Sequence, residues 1–422
     1  MKLIKIAMYL GENDGPTVDA TNIEYGNPGV GGTQFCMLQL AHFIKPLKKY
    51  DVTLFSNRSY QLEEGIHFEY CRKYEDLIPM CEQKKIEILL LNNFNNSKLR
   101  EHILNTNIRL IAWCHNYLYA DQASYLSHTN QIKAVVFVGK QMYDRYIDHD
   151  IIRKSTFIHN MFYDSIYHII RDTKNKNVVY MGSIVPGKGF KELCSIWPGI
   201  IERIPDARLI VLGNGKLYGN AQLGVYGIAE DAYEKTFIKY ITDTTGNIIP
   251  SVIFKGIVGS NKIEIFKSAA VGVVNPSGRT ETFGMGIVEM AQAKLPVVTI
   301  GRNGHFDTVI DGCTGILGKN LKAVQKGIID LLEDTGRNIR LGETAKKFIQ
   351  IFAPNMIIEK WDSIISDVFN NTLKINYIRP SKPFGNNQKW LRCIIRLLRF
   401  DLGLKFIPSL ITIETNISKL LR

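Results

Sequence analysis

The sequence has no run of about 18 apolar residues, so no membrane-spanning helix is expected. The apolar stretch that starts the chain stops at Glu12-Asn13-Asp14. It is too short for a secretory leader and has no small-residue cleavage pattern behind it. Cysteine is sparse: seven in 422 residues, scattered, with no C-x-x-C pair and no ligand-like spacing to histidine. That excludes a disulfide framework and a Cys/His zinc site, and points to reduced thiols in a cytoplasmic setting. Fixed-period repeats and low-complexity tracts are absent, which excludes a solenoid. Acidic residues are nearly absent from the last stretch: Thr372 to Arg422 holds 10 Lys+Arg against 2 Asp+Glu, so most of the net charge of +12 sits there.

Short apolar runs of strand length alternate with helix-period segments. Strands are expected at Lys5–Leu10, Val52–Phe55, Ile86–Leu91, Leu110–Trp113, Ala134–Val138 and Thr156–Ile158, with helices at Thr33–Ile44 and Lys140–Ile147 among them. A polar stretch, Arg171–Asn177, reads as a linker. The pattern then restarts with strands at Val178–Met181, Ala207–Leu212, Val252–Phe254, Val271–Val274 and Val297–Ile300. Strand–helix alternation of this kind is the signature of parallel sheets wrapped by helices. Two doubly wound α/β domains facing across a cleft are expected, with a ligand at the carboxyl ends of the strands. The expected division is 1–165, 177–353, a helix 354–370 that returns to the first domain, and a basic amphipathic tail, 371–422.

The stretch Arg279-Thr-Glu-Thr-Phe-Gly-Met-Gly-Ile-Val-Glu289 places two carboxylates around a glycine turn that opens a helix. A helix start presents free N–H groups that suit phosphate oxygens. Glu289, one turn inside, can accept from both hydroxyls of a ribose; Glu281, before the helix, faces the group beyond the phosphates. A glutamate in a first turn also steadies its own helix through the dipole. In Tyr180-Met-Gly-Ser-Ile-Val-Pro-Gly-Lys-Gly-Phe190 a strand delivers a loop on which Lys188 can act as a point charge on a diphosphate. Gly29-Val30-Gly31-Gly32 stands between the first strand and the first helix. It lacks the G-x-G-x-x-G continuation of a dinucleotide site, which argues against a nicotinamide enzyme. His115 and Asn116 follow an apolar strand at its carboxyl end. Asp148-His149-Asp150 follows a helical pattern rather than a buried strand, and reads as a solvated turn with no metal.

These pieces together resemble the retaining glycosyltransferases of family four, GT-B enzymes that use nucleotide-sugar donors. The resemblance is carried by Asn275-Pro276-Ser277, Glu281-Thr282-Phe283-Gly284, Glu289-Met290-Ala291 and Leu295-Pro296-Val297-Val298, the E-x7-E region. It continues, in the family's order, through Gly29–Gly32, Val136–Gly139, Ile158–Asn160, Val179–Gly189, Leu209–Gly215, Phe254–Gly256 and Asp311–Leu317, covering about residues 1–370.

The resemblance implies sugar transfer with retention from a nucleotide-diphosphate sugar to a glycan or lipid-linked acceptor, in cell-surface polysaccharide synthesis, with no cofactor and no metal. It puts Glu281, His115 and Lys188 at the reacting centre. Donor contacts fall on Gly31 and Gly32, on Ser183 and Gly256, on Phe283, Gly284, Met285, Gly286 and Ile287, and on Glu289. The family often has an arginine where Ser183 stands; either Lys188 carries the leaving group with backbone donors, or another cation such as Arg279 or Arg302 replaces the missing charge. It also ends the helix after Glu289 with glycine, where this chain has Lys294. Other chemistries on the same fold, a sugar phosphorylase or a nucleotide-sugar epimerase, stay open, as does a non-catalytic membrane-associated binding protein.

Arg392, Arg396 and Arg399 recur at helical spacing on one face, and Trp390, Leu391, Ile394, Ile395, Leu397, Leu398 and Phe400 fill much of the remainder. A basic amphipathic segment with a tryptophan suits an anionic membrane surface, so contact through residues 389–411 and a place on the inner face of the membrane are expected. The segment is too apolar for nucleic acid.

Overall fold

The computed structural model describes residues 2–11, 15–164, 170–215, 222–259 and 262–420. Glu12-Asn13-Asp14, and residues 165–169 of the expected junction, lie outside them. Two compact units emerge: residues 1–163 with 352–422, and residues 164–351.

The first unit holds β1 (Ile4–Tyr9), β2 (Val18–Ala20), β3 (Tyr50–Ser56), β4 (Tyr60–Leu62), β5 (Ile66–Tyr70), β6 (Ile88–Leu91), β7 (Arg109–Cys114), β8 (Ile132–Phe137) and β9 (Ser155–Phe157). Seven of them form one parallel sheet in the order β5-β3-β1-β6-β7-β8-β9, and β2 pairs β4 apart from it. The central strands are continuous apolar runs because helices cover both faces. The edge strand β5 is half exposed and alternates, and its weak apolar signal is why it is not legible as a strand. The order reverses between β1 and β6, which creates a crevice at their carboxyl ends. The helix Pro354–Asn370 belongs to this unit: Trp361 packs on Trp113 of β7, and the Tyr50 hydroxyl donates to Asp362 at 2.6 Å.

The second unit holds β10 (Asn177–Met181), β11 (Arg208–Leu212), β12 (Val252–Gly256), β13 (Val271–Val273), β14 (Val297–Ile300) and β15 (Gly315–Gly318). Its six-stranded parallel sheet runs β12-β11-β10-β13-β14-β15, with the reversal between β10 and β13. Trp197 and Phe190 of the helix Phe190–Arg203 fill one side of the core, with Val324, Ile328 and Leu331 of the helix Leu321–Glu333. Residues 171–177, expected as a linker, are tied down. The Arg171 guanidinium donates to the carbonyls of Ala269 and Ala270 at 3.1 and 3.0 Å, and burial brings its pKa down to about 10.

Two readings of the chain are corrected here. Asp148 is not in a solvated turn. It is fully buried, takes Arg392 Nη1 at 3.3 Å, and accepts from the Leu410 amide at 2.5 Å. Nor do Lys389, Arg392 and Arg399 of the segment 389–411 face outward. Lys389 pairs with Asp144 at 3.1 Å, Arg399 with Asp150 at 2.7 Å, and Arg392 also holds Glu414 at 2.5 Å. Four residues apart along the Asp144–Asp148 turn, buried carboxylates need cations, and the tail supplies them together with Lys140 at Asp144. Among the described residues no helix is long and apolar enough to cross a membrane.

Candidate active site

The loops that leave β10 and β13 meet at the second sheet's reversal point. The first begins at Gly182 and ends at Gly189, whose φ of +72° caps the helix Phe190–Arg203. A Cβ at Gly189 would come within 2.4 Å of the Ser277 amide nitrogen, so only glycine allows the two loops to touch there. Ser277 Oγ and Thr280 Oγ1 both donate to the Gly187 carbonyl, at 3.1 and 3.0 Å. The buried Tyr180 hydroxyl sits between the carbonyls of Ser183 and Lys188, at 3.2 and 3.0 Å, and fixes the loop from beneath.

This stitching puts Lys188 against Glu281. Lys188 Nζ donates to Glu281 Oε2 at 3.2 Å, and Asn275 Nδ2 donates to the same oxygen at 3.1 Å. Burial pushes the Glu281 carboxyl up, but Lys188, His305 and the Asn275 amide outweigh it and hold it below its ordinary value. The group is therefore an anion near neutral pH and a poor proton donor. His305, fully buried, donates from Nδ1 to the Ile300 carbonyl at 2.8 Å. Burial lowers its pKa despite the neighbouring Glu281, so it is a neutral imidazole there. His305 and the Asn275 side chain were not singled out from the sequence. The available signal was Asn303-Gly304-His305 following β14: a Cβ at Gly304 would meet the Thr282 carbonyl carbon at 2.4 Å, which brings that loop onto Glu281.

Gly284 caps the helix Met285–Gln292 with a φ of +92°. At Gly286 a Cβ would crowd Met181 and Val274, so this glycine lets the helix start close over the ends of β10 and β13. Phe283 and Ile287 are buried in the core. The Ile287 amide already donates to the Gly284 carbonyl at 2.9 Å, so Ile287, expected at the donor, brings neither a side chain nor a spare donor. Glu289 is held by Lys262 at 2.5 Å through Oε2, a partner the sequence did not point to. Arg279 does not stand in for the charge absent at Ser183, because it is committed to Glu192 at 2.6 Å and the Pro186 carbonyl at 2.9 Å. Arg302, exposed beside Gly278, stays available for that role. Gly256 ends β12 with a φ of +66°, and its carbonyl accepts from Gly213 at 2.8 Å.

The remaining expected residues lie in the first unit. Gly31 and Gly32 are exposed at the start of the helix Gly32–Ile44. His115, just past β7, is buried against Trp113, with ring centres 4.7 Å apart, and burial pulls its pKa down to about 3. It is a hydrogen-bonding group rather than a proton carrier at neutral pH. At this sheet's reversal point lies a hollow of about 440 Å³, lined by Tyr9, Gln34, Tyr74, Asn92 to Asn95 and Asn116 to Leu118, among others. Among the described residues no charged side chain lines it.

Two consecutive parallel sheets with this strand order define the GT-B fold, and solved structures agree. Anabaena HepE in complex with UDP superposes with a TM-score of 0.63 at 16% identity, covering 86% of this chain and 100% of that one. Sucrose-phosphate synthase from Thermosynechococcus elongatus gives 0.64 at 14% identity, over 87% and 100%.

Within that fold, residues 168–348 match the model of the family described as Glycosyl transferases group 1. The chain is 25% identical over 204 residues to the capsular polysaccharide biosynthesis glycosyltransferase CapM of Staphylococcus aureus, across 47% of this chain and 48% of that protein. It is 25% identical over 207 residues to a trehalose synthase of Thermococcus litoralis, across 47% and 45%. The chain thus spans about half the length of the curated relatives it matches.

Proposed function

We propose that the protein transfers a sugar, with retention of configuration, from a nucleotide-diphosphate sugar to a saccharide acceptor in the cytoplasmic assembly of a cell-surface polysaccharide. The observation that carries this reading is the Lys188–Glu281–Asn275 cluster on two loops at the second sheet's reversal point. A diphosphate brings more negative charge to Lys188 than one carboxylate does, so donor binding draws Lys188 off Glu281 onto the leaving group. Glu281, anionic and still oriented by Asn275, then accepts hydrogen bonds from the donor's sugar. The amides at Gly284 to Gly286 receive phosphate oxygens at a helix start. Glu289 keeps Lys262 on Oε2 and offers Oε1 to the ribose. Arg302 supplies the charge missing at Ser183. Catalysis is then positional and electrostatic, with the departing phosphate taking the acceptor's proton.

The acceptor belongs to the first domain, in its neutral hollow. Amides and tyrosines suit hydroxyl groups and the apolar faces of sugar rings, and His115 beside it stays neutral. The complexes of HepE with UDP and with UDP-glucose support the donor class, and CapM supports the polysaccharide setting.

Calorimetric titration with UDP-, GDP- and ADP-sugars, followed by product analysis by NMR, tests the reading. One nucleotide sugar is expected to bind, with Lys188→Ala and Glu289→Ala each weakening it on the order of tenfold or more. A transferred sugar of unchanged anomeric configuration completes the case. Phosphate-dependent turnover, an epimerised donor, or binding without turnover would each replace it with one of the other chemistries of this fold.

A further inference from the structure

The segment 389–401 is amphipathic, but its charged side is the buried one. Lys389, Arg392 and Arg399 are consumed by Asp144, Asp148, Asp150 and Glu414 inside the first domain. Arg396 lies over the Tyr377 ring at 3.6 Å. What the helix Lys389–Arg396 and the turn after it present outward is Trp390, Ile394 and Leu397, 56%, 48% and 50% exposed, at the i, i+4, i+7 spacing of one stripe. Leu402 and Phe406 extend it, 62% and 82% exposed. A contiguous apolar ridge on a soluble surface is costly unless something covers it. Lys382 before it in sequence and Lys405 between Leu402 and Phe406 are exposed, and Asp401 is the one exposed carboxylate among the described residues from 372 to 420. An apolar ridge on an exposed stretch whose charge is net positive, with a tryptophan at its start, complements an anionic lipid surface rather than a mixed-charge protein face.

We propose that this ridge inserts into the headgroup layer of an anionic bilayer, the apolar side chains giving depth and Lys382 and Lys405 the preference for negative lipid. The buried arginines serve as the anchor to the body, not as the lipid contact. Arg392 holds Glu414, Glu414 holds Arg145 at 2.6 Å, and the Arg145 guanidinium lies 5.1 Å over the ring of Tyr117, which lines the neutral hollow. Docking therefore holds that hollow at a fixed position relative to the membrane. The proposal stands independently of the transfer reaction.

Trp390 is the only one of the four tryptophans that is exposed, Trp113, Trp197 and Trp361 being buried, so emission from this chain reports on the ridge directly. With vesicles of phosphatidylcholine plus phosphatidylglycerol, the protein is expected to co-sediment and its emission to shift to the blue. Trp390→Ser/Ile394→Ser/Leu397→Ser should lose sedimentation by at least about tenfold, with the parent's melting temperature kept. Lys382→Ala/Lys405→Ala should lose on the order of tenfold on these vesicles and nothing on phosphatidylcholine alone. Undiminished sedimentation of the triple variant would overturn the proposal. Equal binding to both vesicle types would overturn the anionic preference. A concentration-dependent dimer that the triple variant abolishes, without vesicle binding, would make the ridge a contact between copies of this chain and overturn it as well.

Discussion

Both domains leave polar side chains at the carboxyl ends of the strands flanking their sheet reversal, and they fill that place with opposite chemistry. In the second domain it is a charged cluster, Lys188 on Glu281, with neutral His305 beside it. In the first it is a hollow lined, among the described residues, by amides and tyrosines without a charged side chain. The first domain's buried charge is displaced to Asp144 and Asp148, where the tail neutralises it. The difference teaches where ionised groups are tolerated inside an α/β domain. At the second reversal the pair is partly open to water, as exchange for an anionic ligand under the proposed function requires, whereas at the Asp144–Asp148 turn it is closed and structural.

Acid should separate the domains most. His115, His149 and His159 of the first domain are buried, and burial holds their pKa at about 3, 4 and 4. Unfolded, each takes a proton near 6.5; folded, it does not, so this stability is complete above 6.5 and is lost as pH falls. At pH 5 each histidine is expected to withdraw roughly 2 kcal/mol. Among its described residues the second domain has one such buried histidine, His305, with Glu281 opposing the shift. Hydrogen exchange followed from pH 7 to 5 should show β7 to β9 opening first. Opening of β10 to β14 at the same pH would break the contrast.

Arg392→Ala comes next. It leaves Asp148 buried without its cation and should cost the first domain about 3–5 kcal/mol, measured by denaturant unfolding. Arg392→Met with Asp148→Leu should recover most of that, since a closed structural pair can be replaced by apolar groups. Lys188→Met should cost less, about 1–2 kcal/mol, because Asn275 still serves Glu281 and the pair is partly open to water. Its larger expected effect is on nucleotide-sugar affinity, and a stability loss equal to that of Arg392→Ala would show that both pairs are structural.

The smallest effect concerns Lys294. It follows the helix Met285–Gln292 with a φ of +56°, the left-handed conformation that glycine adopts freely, and its Nζ pairs with Glu343 at 2.8 Å. Lys294→Gly should relieve the backbone and lose a half-buried ion pair, a net gain of up to about 1 kcal/mol in thermal unfolding.

Much of this was legible in the chain. The apolar runs marked the central strands to within a residue or two, and the restart of the pattern after residue 177 marked a second set. The E-x7-E stretch was readable as a helix start with a carboxylate on either side because glycine at 284 and 286 has few other uses. Lys262 under Glu289 and His305 beside Glu281 were not readable. Both arrive from other loops, and nothing in local spacing says which loop ends converge. The tail shows the limit most clearly. Spacing determined that residues 389–400 have an apolar side and a basic side, because a helix sorts residues by period whatever surrounds it.

Which side faces inward was decided only in three dimensions. A basic stripe is buried only if the body holds carboxylates at matching positions, and here Asp144, Asp148 and Asp150 do so. Periodicity is a property of one segment, so the sequence determined the helix and its two faces. Charge neutralisation in a low-dielectric interior is a property of two segments brought together, so the tertiary structure turned that helix over.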